Sequence, residues 1–316
     1  MEELHSEAPP RLTWIMFNNC NFNCSYCYQP DGQNKEVKNY IPTETIANTL
    51  KKLGHHWILG MTGGEPLLHP DFVELCETIT KTNKIRFDTN LSLTEKVRDF
   101  AQKIDPAQVY SIYAALHIKE RERRNEVESF VENVLMLKKR NFNIRVNYIL
   151  IPNLIDRFKS DYEQFKTRGI ILEPKPFTGL YNTITRRHRH YLSRTPNYFE
   201  RYFIKRYPDS YSENEIEILM ELNPNSHIHT AFHSKDMDCS AGRTSLYMGM
   251  NGNMQKCPSN PKVVGSAFSD IVLQDKNEPC EVSMCLSYYG SWVNIPEIIN
   301  RRDKKWTSSY RKSKTT

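Results

Sequence analysis

The chain has 316 residues, 39% of them hydrophobic, with a mean hydropathy of −0.64, enough length for one large domain and a small one. No apolar run approaches the ~18 residues of a membrane-crossing helix, and the acidic opening Met1-Glu2-Glu3-Leu4-His5-Ser6-Glu7 does not read as a secretory signal, so a cytoplasmic protein with no membrane partner is expected. The net charge of +6 sits at one end: residues 301–316 hold seven Lys and Arg against Asp303, so the first 300 residues balance.

Residues 12–17 read as a first strand, feeding the run Asn18-Asn19-Cys20-Asn21-Phe22-Asn23-Cys24-Ser25-Tyr26-Cys27-Tyr28. Three thiolates in so short a loop can hold three corners of a cubane iron–sulfur cluster and leave one iron open. A structural zinc closes at four ligands, and disulfides use cysteines in pairs. Eight cysteines without a secretion signal favour reduced, metal-binding thiols. A zinc knuckle with a distant fourth ligand is the competing reading.

Residues 43–53 read as a helix with Ile46, Leu50 and Leu53 on one face and Gly54 as its stop. Strand two, 57–61, runs into Gly63-Gly64-Glu65-Pro66. Glycines at the C-terminal end of a strand let the backbone approach a ligand, although the same tetrapeptide alone also describes a tight turn. Helix two, 71–81, places Phe72, Leu75, Cys76 and Ile79 on one stripe, which makes Cys76 a buried structural thiol. Strands then follow at 84–89, 109–116, 144–151 and 170–174, and helices at 94–104, 126–139 and 157–165. Repeated strand–helix units imply parallel strands with right-handed crossovers, in a doubly wound sheet or a partial barrel.

Residues 178–235 read as helices and loops, with a basic cluster at Thr185-Arg186-Arg187-His188-Arg189-His190, an aromatic-rich stretch at 191–207 and an acidic one at 212–221. Four more cysteines follow: Cys239, Cys257, Cys280 and Cys285. Asn251-Gly252, between residues 248–251 and 253–256, is a strong two-residue hairpin signal. Such a hairpin would bring Cys239 and Cys257 together, with Cys280 and Cys285 completing the set. Four thiolates fit a second iron–sulfur cluster, a four-cysteine zinc site, or a split in which three bind a cluster and one donates a hydrogen atom. The basic tail fits a solvated, disordered terminus or a nucleic-acid-contacting arm; the balanced charge of the first 300 residues favours the former.

The triplet Cys20, Cys24 and Cys27, with Tyr26 before its last member, together with Gly63-Gly64-Glu65-Pro66, resembles the signature of radical S-adenosylmethionine (SAM) enzymes. The later cysteines resemble the twitch form of their SPASM auxiliary domain. The resemblance implies an α/β fold: a partial (β/α)6 barrel core at residues 10–205, a linker or helical segment at 206–235, and a small hairpin-containing auxiliary domain at 236–300. It implies a 4Fe–4S cluster on Cys20, Cys24 and Cys27, with SAM on its open iron, and a second auxiliary 4Fe–4S cluster on Cys239, Cys257, Cys280 and Cys285. Contacts to SAM fall on Tyr26, Gly63, Gly64, Glu65, Pro66, Asn90, His117 and Asn147. Arg121, Arg123 and Arg124 stand where one arginine would neutralise the SAM carboxylate. Ala115 departs from the serine that related enzymes place near the end of strand four.

The implied chemistry is reductive cleavage of SAM to a 5′-deoxyadenosyl radical, with electrons from a flavodoxin- or ferredoxin-type donor. The expected enzyme is a radical SAM oxidoreductase or isomerase that takes a hydrogen atom from a small polar metabolite, sugar- or nucleotide-like. Maturation of a ribosomally made peptide, modification of a nucleobase in nucleic acid, and a non-catalytic metal-binding module are the alternatives.

Overall fold

The structure, a computed structural model, describes residues 9–24, 27, 40–54, 56–151, 154–176, 218, 232–233, 235–282 and 284–285. Strands and helices alternate first: β1 (Arg11–Ile15), α1 (Thr43–Lys52), β2 (Ile58–Thr62), α2 (Phe72–Ile79), β3 (Lys84–Thr89), α3 (Thr94–Lys103), β4 (Val109–Ala115), α4 (Ile118–Arg124), α5 (Val127–Lys139), β5 (Ile144–Leu150), α6 (Ile155–Thr167) and β6 (Leu172–Pro176). Short strands follow: β7 (Phe232–His233), β8 (Asp238–Cys239), β9 (Ser245–Met248), β10 (Asn253–Cys257), β11 (Asn260–Ser266), β12 (Glu278–Pro279) and β13 (Met284–Cys285). Among the described residues no helix is long and apolar enough to cross a membrane.

Strands β1 to β6 pair in sequence order and all in parallel. Parallel neighbours need a crossover between them, and the helices supply it. Along β3, Ile85, Phe87 and Thr89 are buried while Arg86 and Asp88 stay half-buried on the opposite face. The apolar face packs under the helices. Phe72 of α2, Phe87 of β3 and Phe100 of α3 meet there, with Phe87 5.2 Å from each of the other two. Burial of this layer is the main force holding helices to sheet.

The sheet is bent into a partial (β/α)6 barrel. Arg11 on β1 donates to the Tyr110 hydroxyl on β4 at 3.1 Å, although β2 and β3 stand between them. In a flat sheet these strands would lie three spacings of ~4.8 Å apart.

The C-terminal strands extend this sheet. β9 pairs in parallel with β1, from Arg11↔Ser245 to Trp14↔Met248, and β10 and β11 continue it antiparallel. The order is β11-β10-β9-β1-β2-β3-β4-β5-β6. The expected hairpin is β9–β10, but its turn is not the two-residue Asn251-Gly252 type. Gly249 N–H donates to Asn253 O at 2.9 Å, and Gly252 N–H closes onto Gly249 O at 3.0 Å with φ +79°. This is a three-residue loop whose left-handed position is taken by glycine.

The start of strand six and one helix also differ from the sequence expectation. Strand six begins at Leu172, not 170, because Ile170 ends the preceding helix: its N–H donates to Phe165 O at 3.0 Å while that of Gly169 (φ +79°) donates to Lys166 O at 2.9 Å. That pair of bonds is a Schellman closure. Helix α4 was not expected, because six of its seven residues are charged and no apolar stripe marks it.

Candidate metal and cofactor site

The chain leaving β1 and the chain leaving β2 run side by side past the end of the sheet. Met16 N–H donates to Thr62 O at 2.9 Å, Gly64 N–H to Phe17 O at 2.7 Å, and Glu65 N–H to Asn19 O at 2.8 Å. A Cβ on Gly63 would stand 2.3 Å from Phe17 O, and one on Gly64 would stand 1.9 Å from Asn19 O. The glycine pair is thus required by backbone contact with the start of the cysteine loop, and it fixes where Cys20 begins.

Glu65 turns inward. Its buried carboxylate accepts from Thr89 Oγ1 at 2.7 Å, Asn90 N–H at 2.6 Å and Leu67 N–H at 3.1 Å. Burial nevertheless pushes it up to about 7, against the pull of those donors. The side chain therefore ties the β2 loop to the end of β3. Pro66 follows as the first residue of a buried 3-10 turn. Asn90, also buried, donates to Asn21 Oδ1 at 2.8 Å and approaches Cys20 Sγ at 3.8 Å.

The opposite side of the loop is clamped by α4. Glu120 accepts from Asn23 N–H at 3.2 Å and holds Arg123 at 2.6 Å, and Arg124 donates to Asn21 O at 3.3 Å. Phe22 lies buried between them, 6.1 Å from His117 and 5.1 Å from the Arg121 guanidinium. His117 starts α4 in the left-handed conformation, φ 47°, and is pushed down to about 4 by burial and then by Arg121. It is neutral at pH 7.

Arg121 is fully buried, 4.1 Å from the Phe130 ring, and donates to Leu116 O at 2.8 Å. Burial weakens its hold on its proton, and Glu126, Glu65 and Cys24 oppose that effect. Its Nη2 has no hydrogen-bond partner among the described residues. Of the three arginines, then, Arg123 and Arg124 are paired with Glu120 and Glu126, while Arg121 is the buried cation beside Cys24.

Cys24 is buried and Cys20 and Cys27 half-buried, with Cys27 N–H closing onto Cys24 O at 3.0 Å. Burial pushes the Cys20 thiol up to about 11. Burial thus disfavours the thiolate there, and coordination to a metal, which deprotonates a thiol, would offset that. Among the described residues, no three His, Cys, Asp or Glu side chains converge as they stand into a site for a single metal ion. The donor set still fits a cubane cluster: three thiols on one loop, a buried arginine beside Cys24, and Asn90 within reach of Cys20. Asn147, on β5, is buried, and its Oδ1 has no hydrogen-bond partner among the described residues, an acceptor open to a ligand's N–H or O–H. Ala115 pairs with it across β4–β5.

In the C-terminal region, β8 pairs with β12, bringing Cys239 opposite Glu278, and Cys280 N–H donates to Met237 O at 2.8 Å. The Cys239 thiol hydrogen-bonds with that of Cys280; this bond first, then burial, raises its pKa strongly, and Cys257 adds to the effect. Three of the four late cysteines are neighbours. Cys285 pairs through β13 with Phe232 of β7, and its side chain lies outside the described residues. So do Tyr26, the basic cluster 185–190 and the tail 301–316. Cys76 is fully buried on α2.

Sequence reasoning missed two groups. One is the α4 clamp, Glu120 with Arg124. The other is a charged set inside the barrel, Arg86, Asp88, Arg145, Glu173 and Lys175, whose signal was available as polar residues at every second position of three strands.

Residues 14–164 match the family described as the Radical SAM superfamily. Among curated proteins the chain is similar to GTP 3′,8-cyclase of Haemophilus ducreyi, 40% identical over 22% of this chain and 23% of that one. It is also similar to 7-carboxy-7-deazaguanine synthase of Methanothermobacter thermautotrophicus, 32% identical over 39% and 50%. The chain thus spans half or less of the length of these two relatives. A 7-carboxy-7-deazaguanine synthase of Archaeoglobus fulgidus is 29% identical over 52% of this chain and 75% of its own. Among solved structures, Streptococcus suis SuiB bound to SAM matches with a TM-score of 0.51 at 15% identity, over 80% of this chain and 61% of that one. The anSMEcpe structure with bound SAM matches at 0.50 and 16%, over 81% and 77%. At these identities the two structures share a fold with this chain.

Proposed function

We propose, from the match of residues 14–164 to the Radical SAM superfamily, that the chain is an enzyme that cleaves SAM reductively and takes a hydrogen atom from a small polar, nucleotide- or sugar-like metabolite. One observation carries the reading: Gly63 and Gly64 press against Phe17 and Asn19, so the three-thiol loop and the SAM-anchoring turn are locked together at the mouth of one sheet. The sequence relatives support a nucleotide-like substrate, since their names place GTP and a deazaguanine in similar domains.

Cys20, Cys24 and Cys27 would hold a 4Fe–4S cluster whose fourth iron binds SAM, and such a cluster, when bound, supplies the single electron that breaks a carbon–sulfur bond of SAM to give the 5′-deoxyadenosyl radical. The chain's own residues prepare the site. The turn Gly63-Gly64-Glu65-Pro66 presents backbone groups to the amino group of SAM, with Glu65 spent on holding the turn. Asn147 offers from the barrel wall an acceptor without a partner among the described residues, and Asn90 positions Asn21 and Cys20. His117 packs edge-on against Phe22 of the loop. Cys239, Cys257 and Cys280, with Cys285, would hold a second cluster; oxidation or epimerisation of the substrate is the outcome for which such a cluster is suited.

The substrate class is tested by following 5′-deoxyadenosine formation in anaerobically reconstituted protein with purine nucleotides, sugar phosphates and short peptides in parallel. Stimulation by a nucleotide or sugar phosphate is expected, with deuterium from the labelled compound appearing in 5′-deoxyadenosine. Stimulation by peptides alone would replace this reading with peptide maturation.

A further inference from the structure

The late cysteines whose side chains are described come from two separate pieces of structure. Cys257 ends β10 in the nine-stranded sheet, whereas Cys239 ends β8 and Cys280 follows β12, and β8 and β12 form a two-stranded ribbon of their own. Within the ribbon the backbone fixes the two cysteines. Glu278 is in register with Cys239, Cys280 N–H donates to Met237 O at 2.8 Å, and Asp236 N–H donates to Cys280 O at 2.9 Å. Those bonds set Cys280 against Cys239. They do not set either one against Cys257, which belongs to the other sheet.

Polar side chains beside Cys257 make that connection. Lys256 reaches the ribbon on both sides of Cys280: its Nζ lies 2.8 Å from the Glu278 carboxylate and 3.7 Å from that of Glu281. Asn260, at the start of β11, donates to Glu281 at 2.8 Å, and Gln274 donates to Glu278. The strand itself aims the lysine. The register of β10 against β11 shifts on either side of Gln255, and such bulges redirect side chains. Gly242 leaves room for the lysine stem, since a Cβ there would stand 3.1 Å from Lys256 Cγ. The lysine side chain is 9% exposed, against 45% and 50% for Glu278 and Glu281. Pairs exposed at both ends contribute little, but a charge buried at one end depends on keeping its partners.

We propose that Lys256 is a positioning residue for the C-terminal cysteine site: its ion pairs with Glu278 and Glu281 hold the ribbon against β10, so that Cys239, Cys257 and Cys280 stand together before a metal binds. The proposal deepens the reading that these cysteines hold a second cluster, and its use to the enzyme rests on that reading. The clamp itself is a property of the chain alone, and it can be measured without metal.

The test uses the full chain in two states. In metal-free protein, a short bis-maleimide cross-linker is applied and the linked cysteines are mapped by mass spectrometry. Links from Cys257 to Cys239 or Cys280 are expected to fall severalfold in Lys256→Met. The Cys239–Cys280 link, held within the ribbon, should stay the same and serves as the internal control. In reconstituted protein, Lys256→Met should carry about four fewer irons than wild type, and Lys256→Arg, which can still bridge both carboxylates, should recover them. A packing role alone predicts the reverse order, because methionine keeps the apolar stem and arginine overfills its space. The double variant Glu278→Gln with Glu281→Gln should repeat the loss, and adding Lys256→Met to it should lose no more. That pair of near-isosteric changes also carries the test if Lys256→Met fails to fold. Unchanged links from Cys257 in the folded variants, or an iron content equal to that of a wild type loaded at both sites, would overturn the proposal. A wild type that holds iron only at Cys20, Cys24 and Cys27, with cross-links that still depend on Lys256, would remove the second cluster and leave the clamp supported.

Discussion

Single residues carry unequal weight at the cysteine site, and contact distances decide which matter. Gly64→Ala forces its Cβ into Asn19 O, and since both partners are backbone, one strand exit must move. Overpacking of this kind costs roughly 1–3 kcal/mol, and about 1 kcal/mol shifts the melting temperature by ~1–2 °C in a chain of this size. The variant is expected to melt several degrees lower and to load less iron; an unchanged melt and iron content would show that the turn does not fix the loop. Glu65 supplies a pH test. Its folded-state value of about 7 lies above the ordinary 4.5, so the folded chain holds this proton more tightly than the unfolded one. Its contribution is fully present below about 4.5 and is lost as pH rises to about 7, with a slope of at most ~1.4 kcal/mol per pH unit. Denaturant unfolding of wild type and Glu65→Gln between pH 5 and 8 should show the wild type losing ground to the variant up to about pH 7 and no further. A difference that is flat across the range would contradict the assignment. The motif made Glu65 legible as part of a SAM-binding turn, but its inward carboxylate was not legible, because the partners Thr89 and Asn90 lie on another strand.

Elements were legible where apolar residues kept one period. The stripes of α2 and α3 and the alternation of β3 announce themselves; α4 does not, since its sequence IKERERR has a single apolar residue and its function is polar. It acts as a clamp. Glu120→Ala removes the acceptor of Asn23 N–H and the partner of Arg123, and the backbone between Cys20 and Cys24 should loosen. Amide exchange at Asn23 is expected to speed up severalfold while that of β3 stays unchanged. Equal protection in the variant would mean that the loop is held from the β2 side alone.

At the scale of the whole molecule, the sequence suggested a barrel with a small domain appended, and the cysteine spacing gave no hint of how the two meet. Pairing between β1 and β9 spans more than 200 residues and depends on neither strand's local pattern. Leu246, Met248 and Met254 are nevertheless wholly buried in the same core as Leu12 and Trp14. Removing residues 236–316 should therefore uncover one edge of β1 and leave a core that aggregates or melts well below the full chain. A truncated core that stays monomeric and melts like the full chain would show that the two parts fold independently. The central claim is that Cys20, Cys24 and Cys27 hold the cluster that would supply the electron for SAM cleavage, and it is tested most directly by incubating anaerobically reconstituted protein with SAM and dithionite and measuring 5′-deoxyadenosine. Wild type should form it, and the variant with all three cysteines replaced by alanine should have about four fewer irons and form none. Residual 5′-deoxyadenosine in that variant, or a wild type that binds zinc and leaves SAM intact, would contradict the account.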